Sequence, residues 1–110
     1  MKLPVTAFTL TDWLEVAPEE HLGETGTSVW RTASSGDLRV RVVDYSAGYV
    51  ADHWCDRGHV LYVLEGELAV ALRDGRSYVL TPGVSFHVSD CGDAAHRVST
   101  RFGAKAFIVD

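Results

Sequence analysis

No long stretch of this chain repeats its apolar residues at helical spacing, and glycine or proline interrupts it at short intervals. That punctuation leaves room for short strands and little else. Leu38-Arg39-Val40-Arg41-Val42 alternates strictly, the mark of a half-buried strand. Val60 to Leu64 is a short β-branched and aromatic run, which predicts a strand buried on both faces. Leu68 to Leu72 predicts another, and Asp74-Gly75 then predicts a tight two-residue hairpin of type I′. Ser77 to Leu80 returns and Pro82-Gly83 breaks it. Ser85 to Val88, His96 to Thr100 and Ala104 to Val109 complete the series. Strands at roughly 8–12-residue spacing with turn signals between them predict an all-β sandwich or barrel.

The helix candidates lie near the N-terminus. Asp12 to Val16 and Pro18 to His21 each have room for a turn. Pro18 suits a first helical position and is followed by two acids, which suit a helix N-terminus. This segment is expected to lie as a strap on the barrel. With 110 residues the chain is expected to form one domain. Residues 1–35 supply the strap and a first strand, and residues 36–110 the barrel core.

Charge narrows the partners. Ten basic and fifteen acidic residues leave a net charge of −5, which argues against nucleic acid or an anionic membrane. No apolar run approaches the length of a membrane-spanning helix. Met1 to Thr6 carries one charge, and polar Thr9, Thr11 and Asp12 follow, unlike a signal peptide. A cytoplasmic location is the expectation. There, Cys55 and Cys91 are expected as free thiols or metal ligands rather than a disulfide.

Chemistry concentrates after Tyr45. His53, Cys55 and His59 stand as H-x-C-x3-H. Residues i and i+2 of a strand share a face, so His53 and Cys55 aim together. Asp56-Arg57-Gly58 reads as a turn, after which His59 opens the next strand. A bend there would bring imidazoles and a thiolate to one point, a set suited to zinc, nickel, copper or iron. Spacing alone leaves the ordinary reading equally open: a satisfied histidine on a strand, and a cysteine serving as a small hydrophobe.

The flanking residues add a resemblance. Gly48-x4-His53-x-Cys55-x3-His59-x6-Gly66, ending Tyr62-Val63-Leu64-Glu65-Gly66, resembles the first motif of the cupin superfamily. Cys55 stands where that motif has its second histidine, and His59 where it has glutamate. Gly83-x5-Ser89-x2-Gly92-x3-His96-x3-Thr100 resembles the second motif, with His96 at the position of the fourth ligand. The departures are Gly48 one residue close to His53, Ser89 for proline, a longer loop before His96, and Thr100 for asparagine. Asp52-His53-Trp54-Cys55 is also similar, in altered order, to the small group of cupins named for a DHCW motif.

The resemblance implies a cupin-type double-stranded β-helix, a jelly-roll-like barrel, with a divalent transition metal held by His53, Cys55, His59 and His96. Replacing carboxylate by imidazole and one imidazole by thiolate softens the set, which favours zinc first, with nickel, copper or iron as alternatives. Four protein ligands would close a tetrahedral zinc. Asp52 and Asp56 flank ligands and suit a carboxylate that holds a ligating imidazole, or else are solvated. His87 faces either the pocket or the outer surface. Cys91 reads as a loop thiol, and His21 as a solvated residue.

Three functions fit this reading. One is a small metalloenzyme acting on a small molecule. The second is a metal- or ligand-binding module without catalysis, such as a sensor. The third is a barrel whose metal is structural. By alternation Val60, Tyr62 and Leu64 face away from the ligand side. That face needs a cover, either the strap or a second copy, so a homodimer is expected.

Overall fold

The computed structural model describes residue 3 and residues 5–110. Among these residues, nine antiparallel strands form two sheets. They are β1 (Glu19–Leu22), β2 (Thr27–Ser35), β3 (Leu38–Tyr45), β4 (His59–Gly66), β5 (Leu68–Leu72), β6 (Ser77–Leu80), β7 (Ser85–Val88), β8 (His96–Ser99) and β9 (Ala104–Val109). The larger sheet runs β1-β2-β3-β9-β4-β7, and the smaller runs β6-β5-β8. The strand series expected from Leu38 onward is present, and β2 precedes it. Among the described residues no helix is long and apolar enough to cross a membrane.

The core lies between the sheets. Val43 on β3, Leu61 and Val63 on β4, and Ala106 and Ile108 on β9 meet Leu68, Val70 and Leu80 from the smaller sheet. Strand period explains the choice, because alternate residues of β4 and β9 point inward together. Gly66 ends β4 at φ 74, after an irregularity between Val63 and Glu65. A Cβ there would meet the Gly103 carbonyl oxygen at 2.2 Å, so only glycine lets β4 leave the sheet this close to β9.

Three local expectations are corrected. Pro18–His21 is not helical: Glu19 begins β1 and pairs with Trp30 of β2. A neighbouring strand edge outweighs the N-terminal helix signal, since a helix this short has little cooperativity. Asp12–Val16 does turn, with the Glu15 amide donating to the Asp12 carbonyl (2.9 Å). Second, β4 is not buried on both faces. Leu61 and Val63 are buried, while Val60, Tyr62 and Leu64 are 40, 43 and 40 % exposed. From the strap, Trp13 meets Phe107 of β9 edge-on at 6.3 Å. Third, the β5–β6 hairpin is not a two-residue turn. The Leu72 amide donates to the Arg76 carbonyl (2.7 Å), the Gly75 amide donates to the Leu72 carbonyl (2.9 Å), and only Gly75 takes a positive φ. That is a three-residue loop. Arg76 grips Asp74 by side chain and backbone, which stabilises the wider turn.

Candidate metal centre

The β3–β4 connection and the first residues of β4 and β8 carry the donors, and backbone pairing brings them together. Cys55 and His96 form an isolated antiparallel bridge. The Cys55 amide donates to the His96 carbonyl (2.8 Å) and the His96 amide donates back to the Cys55 carbonyl (3.0 Å). Opposed residues of such a pair project their side chains to the same face. The Cys91 amide donates to the Asp56 carbonyl (2.9 Å), and the Gly58 amide donates to the Asp90 carboxylate (2.5 Å). These bonds tie the β3–β4 and β7–β8 connections together beside the bridge.

His59, at the start of β4, completes the group. Its Nε2 lies 3.4 Å from Cys55 Sγ. One donor atom from each of Cys55, His59 and His96 lies within 4.8 Å of the other two. The His59 and His96 rings meet edge to face at 5.0 Å, and Phe86 stands against His96 at 5.5 Å. Burial pushes the His59 imidazole down to about 4, against the opposing pull of Asp110. Burial likewise lowers His96, with the Asp56 charge acting the other way. Both rings are therefore neutral at pH 7, as a metal ligand must be.

The structure does not bring His53 to this group. Its side chain is 73 % exposed, and its Nδ1 lies 2.6 Å from the Asp52 carboxylate. That hydrogen bond holds Asp52 below the usual carboxylate range. Asp52 and Asp56 are exposed, and neither makes a hydrogen bond to His59 or His96 among the described residues. His87 is exposed on β7 opposite Val60, at the rim of two cavities. Cys91 is exposed in its loop at φ 49, apart from the donor group. His21 stacks on Trp30 at 3.9 Å, far from solvation as its only role.

The carboxylate that backs His59 is Asp110, which the sequence reading did not single out. Register places it there. Val109 pairs with Val40 of β3 on one side and Val60 of β4 on the other. The next residue, Asp110, therefore lies between Arg39 and His59, and its backbone pairs with Arg39 (2.6 and 2.9 Å). The side chain is fully buried. Arg39 donates to both its oxygens (3.0 and 2.9 Å), Arg41 donates to Oδ2 (3.0 Å), and the Arg57 Nε stands 3.4 Å away. His59 Nδ1 is 2.8 Å from Oδ2, close but at a bent angle outside good hydrogen-bond geometry. Burial alone would raise the Asp110 carboxyl; the Arg39 hydrogen bonds and the Arg41 and Arg39 charges outweigh it and hold it low. An ionised carboxylate at Nδ1 favours the tautomer that leaves Nε2 with its lone pair towards Cys55. Strand alternation carried the signal: Ala104, Ala106 and Ile108 point inward, so Asp110 occupies an inward position too.

Two cavities flank the group. One, of about 380 Å³, is lined by His96 and mostly apolar side chains. The other, of about 820 Å³, is lined by His59 with Arg57, Asp37, Asp90 and Asp110. A soft sulfur and two neutral imidazoles fit a borderline divalent transition-metal ion. Such an ion, when bound, acts as a Lewis acid on a coordinated oxygen.

No family model and no curated protein matches the chain. Solved structures do. A cupin similar to RmlC from Shewanella frigidimarina is 24 % identical, with a TM-score of 0.72 over 94 % of this chain and 89 % of that one. Ectoine synthase from P. lautus is 16 % identical, with a TM-score of 0.74 over 93 % of this chain and 76 % of that one. Fe(II)-HppE with an alternative substrate is 17 % identical, with a TM-score of 0.73 over 94 % of this chain and 60 % of that one. The chain has the cupin fold.

Proposed function

We propose that this chain is a metal-binding protein whose ion is held by Cys55, His59 and His96, with zinc the first choice. The observation that carries the reading is the convergence of three buried or half-buried donors within 4.8 Å, backed by the Asp110 carboxylate at His59 Nδ1. Metal-bound histidines usually have such a partner on their second nitrogen. A thiolate in the set favours zinc over iron. Iron is the runner-up, because the similar HppE carries Fe(II).

With His53 paired to Asp52, three protein donors leave a coordination position for a small molecule or water. That is the pattern of catalytic rather than structural zinc. The enzyme reading therefore stands ahead of the sensor or structural reading, in a reducing compartment such as the cytoplasm where Cys55 stays free. The substrate is a small molecule admitted through the cavities beside His59 and His96.

Metal content by mass spectrometry tests this, on protein purified without added metal. Cys55→Ala, His59→Ala and His96→Ala should each lose bound zinc, while His21→Ala and His53→Ala retain one ion per chain. Loss in His53→Ala would mean that its ring turns inward as a fourth ligand and closes the site. Full metal in Cys55→Ala would return that residue to the role of a small hydrophobe.

A further inference from the structure

The cavity beside His96 differs in kind from the one beside His59. Its walls are Val70 and Leu72 of β5, Leu80 of β6, and Phe86 and Val88 of β7, with His96 among them. Val70 and Leu80 are 4 and 3 % exposed and belong to the main core. The chamber thus has a floor set into the core and an exposed rim of Tyr78, Val79, Val84, Ser85, His87 and Asp93. The one charged side chain on its lining, Asp93, is already paired with Arg76 at 2.7 Å. Apart from the exposed His87 ring at the rim, no lining side chain is available to neutralise an ionic ligand. A charged body placed here would lose its hydration without compensation.

The mouth follows from topology. β6 is the outer strand of the smaller sheet and β7 the outer strand of the larger, joined by the turn through Pro82 and Gly83. Where two sheets end side by side, no strand closes the gap. Tyr78 and Val84 stand at this edge, 55 and 43 % exposed. A volume of about 380 Å³ is at the small end of ligand sites and holds a single substituted ring or a short branched chain.

We propose that this chamber binds the uncharged, aromatic or aliphatic body of a small molecule whose oxygen-bearing head reaches the Cys55, His59 and His96 donors. The placement of the head rests on the metal reading above; the choice of an apolar body rests on the chamber alone. The apolar walls select the body and the donor group selects the head. A ligand with two charged ends does not fit both requirements.

Two hydroxamates test it by calorimetry on the zinc-loaded protein. Benzohydroxamate and acetohydroxamate share a metal-binding head and differ in the ring. 2-Naphthol, which is neutral and has no chelating head, probes the chamber in metal-depleted protein. Val84→Trp fills the mouth from a position exposed enough to tolerate it. Tyr62→Trp, equally exposed but outside the chamber, is the control. Benzohydroxamate should bind at least about tenfold more tightly than acetohydroxamate. Val84→Trp should reduce that ratio to within about threefold and weaken 2-naphthol, while Tyr62→Trp leaves both unchanged. Equal affinities for the two hydroxamates, no effect of Val84→Trp, or no binding of 2-naphthol would each overturn the proposal. If 2-naphthol binds and responds to Val84→Trp while neither hydroxamate binds, the apolar chamber stands and the metal reading falls.

Discussion

Asp110→Asn changes one charge and almost no volume, at the point where the β3–β9–β4 register meets the donor group. The wild-type carboxylate is fully buried and accepts three hydrogen bonds from Arg39 and Arg41. The Arg41 side chain is itself only 6 % exposed, and its guanidinium lies 4.3 Å over the Trp30 ring. Removing the carboxylate charge leaves that guanidinium buried and unneutralised. Breaking a buried pair this way costs about 3–5 kcal/mol, because the remaining charge has no water to return to. Against a typical total stability of roughly 5–15 kcal/mol, that is a large share. The Asp44 carboxylate is the internal comparison. It faces Arg31 at 3.6 Å with both side chains substantially exposed, where pairs contribute about 0–1 kcal/mol. Urea unfolding of metal-free protein separates the two cases and keeps the metal out of the measurement. With a slope near 2 kcal/mol/M, Asp110→Asn should lower the midpoint by about 2 M and Asp44→Asn by less than about 0.5 M. Equal, small shifts in the two variants would refute the claim that the buried Asp110 network contributes more to stability than an exposed pair.

Acid should unfold the metal-free protein in two windows. His59 has its pKa lowered from 6.5 to about 4 by burial, so the unfolded chain binds this proton first and stability falls as pH drops from 6.5 to about 4. Asp110 is held below its ordinary 3.8, so its contribution persists to that pH and is lost only below it; urea midpoints across pH 3–7 check both. In thiol labelling, Cys55 should be protected by bound zinc and react after chelation, while exposed Cys91 reacts equally in both states. We also propose a homodimer: beside the exposed Val60, Tyr62 and Leu64, the N-terminal Val5, Phe8, Leu10 and Leu14 are all at least 84 % exposed. Light scattering at micromolar concentration should give twice the 12.0 kDa chain mass, and a monomer mass would count against it.

The strands were legible because their period and their turns agree. β5, β6, β7 and β9 lie where the sequence pattern and glycine or proline boundaries put them, and β3 starts at Leu38 as expected but runs past Val42 to Tyr45. What was not legible is what a neighbour decides. Glu19 to Leu22 has helix-start residues, yet the edge of β2 recruits it as a strand. The run from Val60 to Leu64 reads as doubly buried, yet Val60, Tyr62 and Leu64 stay 40, 43 and 40 % exposed. The candidate site divides in the same way. The positions of Cys55, His59 and His96 follow local motifs, whereas His53 is set by the adjacent Asp52, whose carboxylate engages its Nδ1 in the exposed loop.

Asp110 shows why local reading stops short of the site's chemistry. It lies 51 positions from His59 in sequence, and only the register of β9 between β3 and β4 brings their side chains to 2.8 Å. In the resembled motif the residue at the His59 position is a carboxylate, a ligand that carries its own negative charge. Imidazole at that position is neutral, so the charge and the orientation must come from elsewhere. Here they come from Asp110, held ionised by Arg39 and Arg41 on the strand next to it. The exchange moves negative charge from the donor group to the carboxylate behind it. It follows that His59→Glu alone should not restore a motif-like site, because it would place two carboxylates against each other beside the arginines. His59→Glu combined with Asp110→Asn removes that repulsion. The double variant should therefore retain more metal than the sum of the two single losses allows, measured by mass spectrometry of the four proteins. Additive losses would mean that Asp110 and the His59 position act independently, and that the carboxylate serves the barrel without serving the donor group.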